Sequence, residues 1–321
     1  MTTTIRSASV EPMVAGLMSG IDVADGPGDE QLAVLRALTS HYFARPDLDL
    51  ATLPSMTPSE LAVSIVDPRE RRLFHHIHVA LEACRHPQDA EQVTAVADYA
   101  EALDVDGPDL VLFRSLVDQG LDQAAVDYHR FAGDMLPKRS EPTLAGTGVP
   151  DRPEPELTLR LEAFADLPEE SLGRAYLRYY DRTGFDLPGA GVSQMNHFYV
   201  AHDMTHVISG VATTSQGEVA LSGFMVGMDD NEVNFSAFLA SLIIHEAGFG
   251  APTSITVAES RTLAAPGAAD LLGQEMARGA ACTGDFSLVD HLALAPLPLD
   301  EVRRQFGVRP PDDPDDGHHG W

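Results

Sequence analysis

HDMTHVISGVATTSQGE, residues 202–218, places His202, Asp203, His206 and Glu218 within a stretch of helical apolar spacing. Histidines four apart on a helix leave from one face with Cβ atoms about 5–6 Å apart, close enough for both imidazoles to reach one ion. At about 100° per residue, Met195, Tyr199, His206, Ser209 and Thr213 share the side of His202, whereas Val200, Met204, Val207, Ile208 and Val211 fall opposite. The stretch therefore reads as a helix that packs an aliphatic stripe inward and keeps its histidine face for chemistry. Taken alone the pair is weak, because thirteen histidines in 321 residues give on the order of half an i,i+4 pair by chance. Two hydrogen-bonded core imidazoles are the plain alternative. Asp203 sits about a quarter-turn round the helix, where it either ligates directly or accepts an imidazole N–H and fixes the tautomer. Glu218 also has two compatible roles. It is the N3 residue of a capping box begun by Ser215, or a ligand brought to His206 if the Thr213-Thr214 turn folds the next helix back.

The spacing HD, two residues, H, eleven residues, E resembles the metal-binding signature of the Coq4 family of quinone-biosynthesis proteins. Gly210, Thr213-Thr214 and Gly217-Glu218-Val219-Ala220-Leu221 are similar to that family's segment after the second histidine. Tyr176-Leu177-Arg178-Tyr179-Tyr180-Asp181 with Gly184-Phe185 resembles an upstream helix, and Pro298 to Val308 resembles the closing one. The resemblance covers roughly residues 158–309. It departs at Ser222-Gly223-Phe224, where the family often carries a basic residue and a tryptophan, and at Tyr199-Val200-Ala201, where a charged pair is common. The metal site thus transfers better than the substrate pocket.

The resemblance implies a divalent ion, zinc first among them, held by His202, Asp203, His206 and Glu218 beside an apolar pocket for a prenylated aromatic quinone precursor. It also implies loss of the ring carboxylate with hydroxylation at the same carbon. A Lewis-acidic ion orients the carboxylate and stabilises a developing phenolate, but zinc has no redox chemistry, so oxidation requires oxygen activated by the substrate or by another metal. No catalytic side chain is assigned. A lipid-binding scaffold that organises other biosynthetic enzymes would share every motif. A metal-dependent hydrolase ranks third: phosphate substrates favour Lys or Arg near the site, and none occurs between Asn196 and Gly227.

A formal charge of −28 disfavours nucleic acid and a polybasic membrane anchor alike. Cys84 and Cys282 lie far apart without metal-type spacing, which excludes a disulfide framework and a cysteine-based zinc site. The start lacks a basic segment followed by an apolar one, and the longest strongly apolar stretch, Phe235 to Ile244, is too short to span a bilayer. A cytoplasmic protein is expected, with peripheral contact at the inner membrane face and oligomerisation left open.

Helical patterning makes this an all-α chain, expected as two domains. Residues 1–28 read as a partly ordered leader and 29–136 as a helical bundle vaguely similar to TerB-like domains. Its helices are placed at Glu30–Leu38, after Thr57-Pro58-Ser59-Glu60, and over 68–84, 88–103 and 108–119. Proline marks three of those starts. His75, His76 and His78 scatter around their helix and read as a solvated or partly buried face, not as a second metal site. Residues 137–157 are rich in Pro, Gly, Ser and charge and read as the linker, and 158–309 as the Coq4-like domain. Within it Phe235, Phe238, Leu239, Leu242 and Ile243 form a core helix before the turn at Gly248–Pro252, and the resemblance has this region also line an isoprenoid groove. His245 and Glu246 end that helix, approaching the metal site or facing the helix dipole. Residues 310–321 are too polar to offset their ordering entropy and read as a disordered tail.

Overall fold

The computed structural model describes residues 5–144, 153–191, 195–249 and 260–321. Among these the chain is all-α, with two isolated β-bridges and no named strand. The first half contributes α1 (Ser7–Ile21), α2 (Asp29–Ala37), α3 (Pro58–Ser64), α4 (Pro68–Ala83), α5 (Ala90–Leu103), α6 (Asp109–Gln119) and α7 (Leu121–Met135). The second contributes α8 (Pro155–Glu162), α9 (Leu172–Thr183), α10 (Asn196–Ser209), α11 (Ser215–Met228) and α12 (Glu232–Leu242). It closes with α13 (Ala268–Ala280), α14 (His291–Leu294) and α15 (Leu299–Phe306).

Local chemistry accounts for the starts. Thr57 and Glu60 form a reciprocal capping box with Pro58 just inside α3, and Asp67 caps α4 before Pro68. Each satisfies amides that have no partner inside the helix.

Three sequence expectations change. Residues 1–28 are not a leader along their whole length, because α1 is a core helix: Met13, Val14, Leu17 and Ile21 are fully buried. Its Glu70 partner holds the entry, accepting from the Arg6 backbone at 2.8 Å and from Ser9 Oγ at 2.9 Å. His75, His76 and His78, expected on a solvated or partly buried face, are all buried. His76 stacks on Phe235 with centroids 3.7 Å apart, and His75 Nε2 lies 3.0 Å from Asp109 Oδ2. The tail is packed: His319 Nε2 meets Glu275 Oε1 at 3.1 Å, Gly320 donates to the Gly210 carbonyl at 2.7 Å, and the Trp321 ring lies 3.6 Å from the Arg303 guanidinium carbon.

Two apolar cores form. One joins α1–α7 to α12, α13 and the inner face of α11 through Val219 and Val226. The other joins α8, α9, α10, α14 and α15 to the opposite face of α11 through Leu221, Phe224 and Met228. Since α11 is apolar all round, it is buried on both sides. The boundary read at 137–157 is therefore not a boundary between cores. Residues 145–152 of that segment lie outside the described residues, but Glu141 is fully buried with its Oε2 2.9 Å from His291 Nδ1, and its amide donates to the His197 carbonyl at 2.9 Å. Phe235, Phe238, Leu239, Leu242 and Ile243 are core residues, as their spacing suggests, and all are packed into the first core. Part of the following turn, residues 250–252, lies outside the described residues. No helix among the described residues is long and apolar enough to cross a membrane.

Candidate metal centre

The aliphatic stripe of α10 packs as its spacing predicts: Val200, Met204, Val207, Ile208 and Val211 join the second core. Two arginines, Arg303 buried and Arg278 partly buried, hold the far end of α10. Arg303 Nε donates to the Ile208 carbonyl at 3.1 Å and its terminal nitrogen to Val207 at 3.2 Å, while Arg278 donates to Ser209 at 2.7 Å. Cations at a helix C-terminus satisfy orphan carbonyls and complement the helix dipole. Gly210 ends the helix in the left-handed region at φ +77°, where glycine carries no Cβ penalty.

Thr214, rather than Ser215, is the N-cap of α11, and its hydroxyl accepts from the Gly217 amide at 3.0 Å. The helix thus begins one residue earlier than the capping-box reading requires, which frees the Glu218 carboxylate. That carboxylate turns toward α10, with Oε2 3.3 Å from His202 Nε2 and Oε1 3.2 Å from His206 Nε2. The two Nε2 atoms are 3.2 Å apart. His202, His206 and Glu218 therefore offer three donor atoms to one small volume.

His206 is fully buried and its Nδ1 lies 2.8 Å from the Val211 carbonyl. A carbonyl only accepts, so Nδ1 carries the hydrogen and the neutral ring presents the Nε2 lone pair to the cluster, as a ligand must. Burial works against a charged His206, yet the Glu218 carboxylate beside it outweighs burial and raises its affinity for a proton. Burial likewise works against ionised Glu218, but the two imidazoles hold its carboxyl well below the ordinary range. Such a group keeps its negative charge for a cation. Tyr179 stacks on His206 and Phe198 on His202, with centroids 5.9 and 4.9 Å apart, which fixes both rings. The His202 and Glu218 side chains are 15% and 22% exposed, so one side of the cluster stays open. Two imidazoles, one carboxylate and an open position are the donor set of a catalytic zinc site.

Asp203 does not join them. Its carboxylate points into α9, accepting from Tyr180 Oη in a short contact and from Tyr179 Oη at 3.4 Å. Burial raises its carboxyl above the usual range, partly offset by His202. The ligand set implied for four residues thus contracts to three, and Asp203 becomes a brace between α9 and α10. Asp203→Asn is expected to lower stability by about 1–3 kcal/mol, the cost of a misplaced buried donor, while leaving metal content unchanged. Urea unfolding and elemental analysis of the variant check both; loss of the ion would return Asp203 to the ligand set.

Arg139 was invisible to a reading confined to the motif. The turn of 3₁₀-helix at Leu136–Arg139 packs against α10 and lays the guanidinium 4.6 Å from the centroid of Phe198, the ring that stacks on His202. Among the described residues no carboxylate forms an ion pair with it. Burial pushes its pKa down to about 10, and Glu218 is close enough to act against that shift. Glu246 does not approach this cluster; its partner is His86, at 2.8 Å.

No family model matches the chain. Over 77 residues it is 33% identical to the ubiquinone biosynthesis protein coq4, mitochondrial, of Talaromyces stipitatus, a match covering 21% of this chain and 27% of that protein. The chain thus spans about a quarter of that relative's length. A solved structure from Nostoc punctiforme, named as a candidate ubiquinone biosynthesis protein, aligns over 75% of this chain and 98% of its own at 18% identity, with a TM-score of 0.33. So loose a superposition does not define a shared fold. A segment of this chain is therefore similar in sequence to coq4.

Proposed function

We propose that this is a quinone-biosynthesis protein that binds a divalent ion, zinc first among them, through His202, His206 and Glu218, and takes a prenylated aromatic carboxylate as its ligand. The observation that carries the reading is the convergence of three donor atoms at 3.2–3.3 Å with one side open. The sequence similarity of one segment to coq4 supports the pathway class. The ion supplies Lewis acidity toward a carboxylate or phenolate oxygen. Val211 and the stacked rings keep the two imidazoles aimed, and Asp203 holds α10 against α9.

Arg139 completes the substrate logic. In a chain of net charge −28 the long-range field repels anions, so an anionic ligand needs a local cation. An arginine lying on an aromatic ring without a carboxylate partner offers a planar fork matched to a carboxylate. It would hold the ring carboxylate that the implied chemistry removes.

The test is calorimetric titration of zinc-loaded protein with a hydroxybenzoate carrying a short prenyl chain and with the same phenol lacking the carboxylate. Wild type is expected to prefer the carboxylate by about tenfold or more, corresponding to one charged hydrogen-bonded contact of about 1.5–3 kcal/mol, and Arg139→Gln to lose that preference while keeping the ion. Equal binding of both compounds by wild type would sink the anchor. Binding of neither would sink the substrate class. Tight binding with no turnover in the presence of oxygen would favour a scaffold.

A further inference from the structure

A second cluster lies on the other core. Glu30 stands in the first turn of α2, His86 follows α4, and Glu246 lies in the π-turn Ile243–Ala247 that ends α12. Single π-turns at the ends of helices recur at functional sites. Three segments distant in sequence thus place two carboxylates and an imidazole so that their donor atoms all fall within 4.8 Å of one another. Glu246 is fully buried and Glu30 is 7% exposed, while His86 keeps 18% of its side chain exposed.

The hydrogen bonds around the cluster orient it without saturating it. His86 Nε2 is 2.8 Å from Glu246 Oε1, and the Leu263 amide donates to Glu246 Oε2 at 2.8 Å. Arg261 Nε donates to Glu30 Oε2 at 3.3 Å from a largely exposed side chain. Among the described residues Glu30 Oε1 is buried with no hydrogen-bond partner. A buried carboxylate oxygen without a donor is costly, and this carboxylate has a second one within 4.8 Å. Two buried carboxylates this close to one another repel, and a cation held between them turns that repulsion into attraction. Access exists: a cavity of about 600 Å³ between α2, the Thr262–Ala264 turn and α13 has Glu30 and Arg261 in its wall.

We propose that Glu30, His86 and Glu246 form a second divalent-cation site, separate from the His202 centre, with its open position toward that cavity. Two carboxylates with one imidazole form an oxygen-rich donor set that suits Mn²⁺ or Zn²⁺. The ion would satisfy Glu30 Oε1, replace the repulsion between the carboxylates with attraction, and tie α2 to the end of α12. The proposal does not depend on the chemistry of the first centre.

The test counts ions by elemental analysis after equilibration with Zn²⁺ or Mn²⁺ and removal of excess. Wild type is expected to retain about two ions per chain, Glu30→Gln about one, and His202→Ala/His206→Ala about one, which disappears when Glu30→Gln is added. Glutamine has the shape of a protonated Glu30, so the variant's circular dichroism should match wild type. An ion-free His202→Ala/His206→Ala protein that retains native circular dichroism would overturn the site in favour of a shared proton. A second ion that survives Glu30→Gln would overturn it too, by placing that ion elsewhere. Should the double variant unfold, the comparison of wild type with Glu30→Gln decides the question alone.

Discussion

Alanine at His206 is expected to cost the His202 centre its ion while leaving the helices folded. Loss of even an outer hydrogen bond on a metal ligand weakens binding by about 10–100-fold, so deleting a ligand should exceed about 100-fold. The remaining His202 and Glu218 are partly exposed, and water competes for both. Folding loses the bond to Val211 and some packing against Tyr179, on the order of 1–3 kcal/mol, which a domain this size should survive. Elemental analysis beside circular dichroism separates the two effects. If His206→Ala and His202→Ala both hold as many ions as wild type, the centre is misassigned. Acid should release the ion from wild type as well. The metal-free pair raises the proton affinity of His206, so protons compete already above the ordinary imidazole value of about 6.5, and apparent affinity should fall steadily as pH is lowered through that value.

Gly279→Ala is expected to be the most destabilising single-methyl change at the centre's support. A Cβ at Gly279 would lie 2.0 Å from the Phe224 carbonyl oxygen, and one at Gly227 would lie 2.2 Å from that of Met276. Both obstacles are backbone, so no side chain can turn aside. Helices α11 and α13 must separate, which opens the second core around Phe224 and moves the helix that carries Glu218. Overpacking costs about 1–3 kcal/mol even where side chains can adjust, and here about 3 kcal/mol or more is expected, together with weakened metal binding. Gly267→Ala is the control: it has a left-handed φ of +81° but no neighbour within 4 Å of a new Cβ. A loss for Gly279→Ala no larger than for Gly267→Ala, whose penalty is left-handed strain alone, would mean that the α11–α13 contact yields at little cost.

The helical class and most early starts were legible because proline and capping residues speak locally. Thr57, Pro58 and Glu60 determine where α3 begins with no help from tertiary structure. The His202/His206 pair was legible for the same reason, as one face of one helix. Where neighbouring residues offer equivalent chemistry, pattern cannot choose: Thr214 and Ser215 are both good caps, and a shift of one residue turned the Glu218 carboxylate away from the cap and toward His202 and His206. Asp203 was open between two roles because a quarter-turn is ambiguous until α9 supplies its tyrosines. α1 escaped notice because alanine, glycine and serine interrupt its apolar residues, yet its buried contacts come from distant Glu70 and the neighbouring helices. Arg139, Glu30 and His86 carry no local signal. They matter only where the chain folds back on itself. The same holds for the tail, whose polarity suggested disorder until His319 and Trp321 found Glu275 and Arg303.

Because α11 is the wall between both cores, an event at Glu218 cannot remain a local matter. Whatever free energy a cation contributes there is conveyed through Val219 and Val226 to the amino-terminal helices as well as through Leu221 and Phe224 to the rest. Occupancy at a hundred times the dissociation constant contributes about 2.7 kcal/mol against unfolding. A helix shared in this way would make the molecule's resistance to heat a readout of any cation held at Glu218.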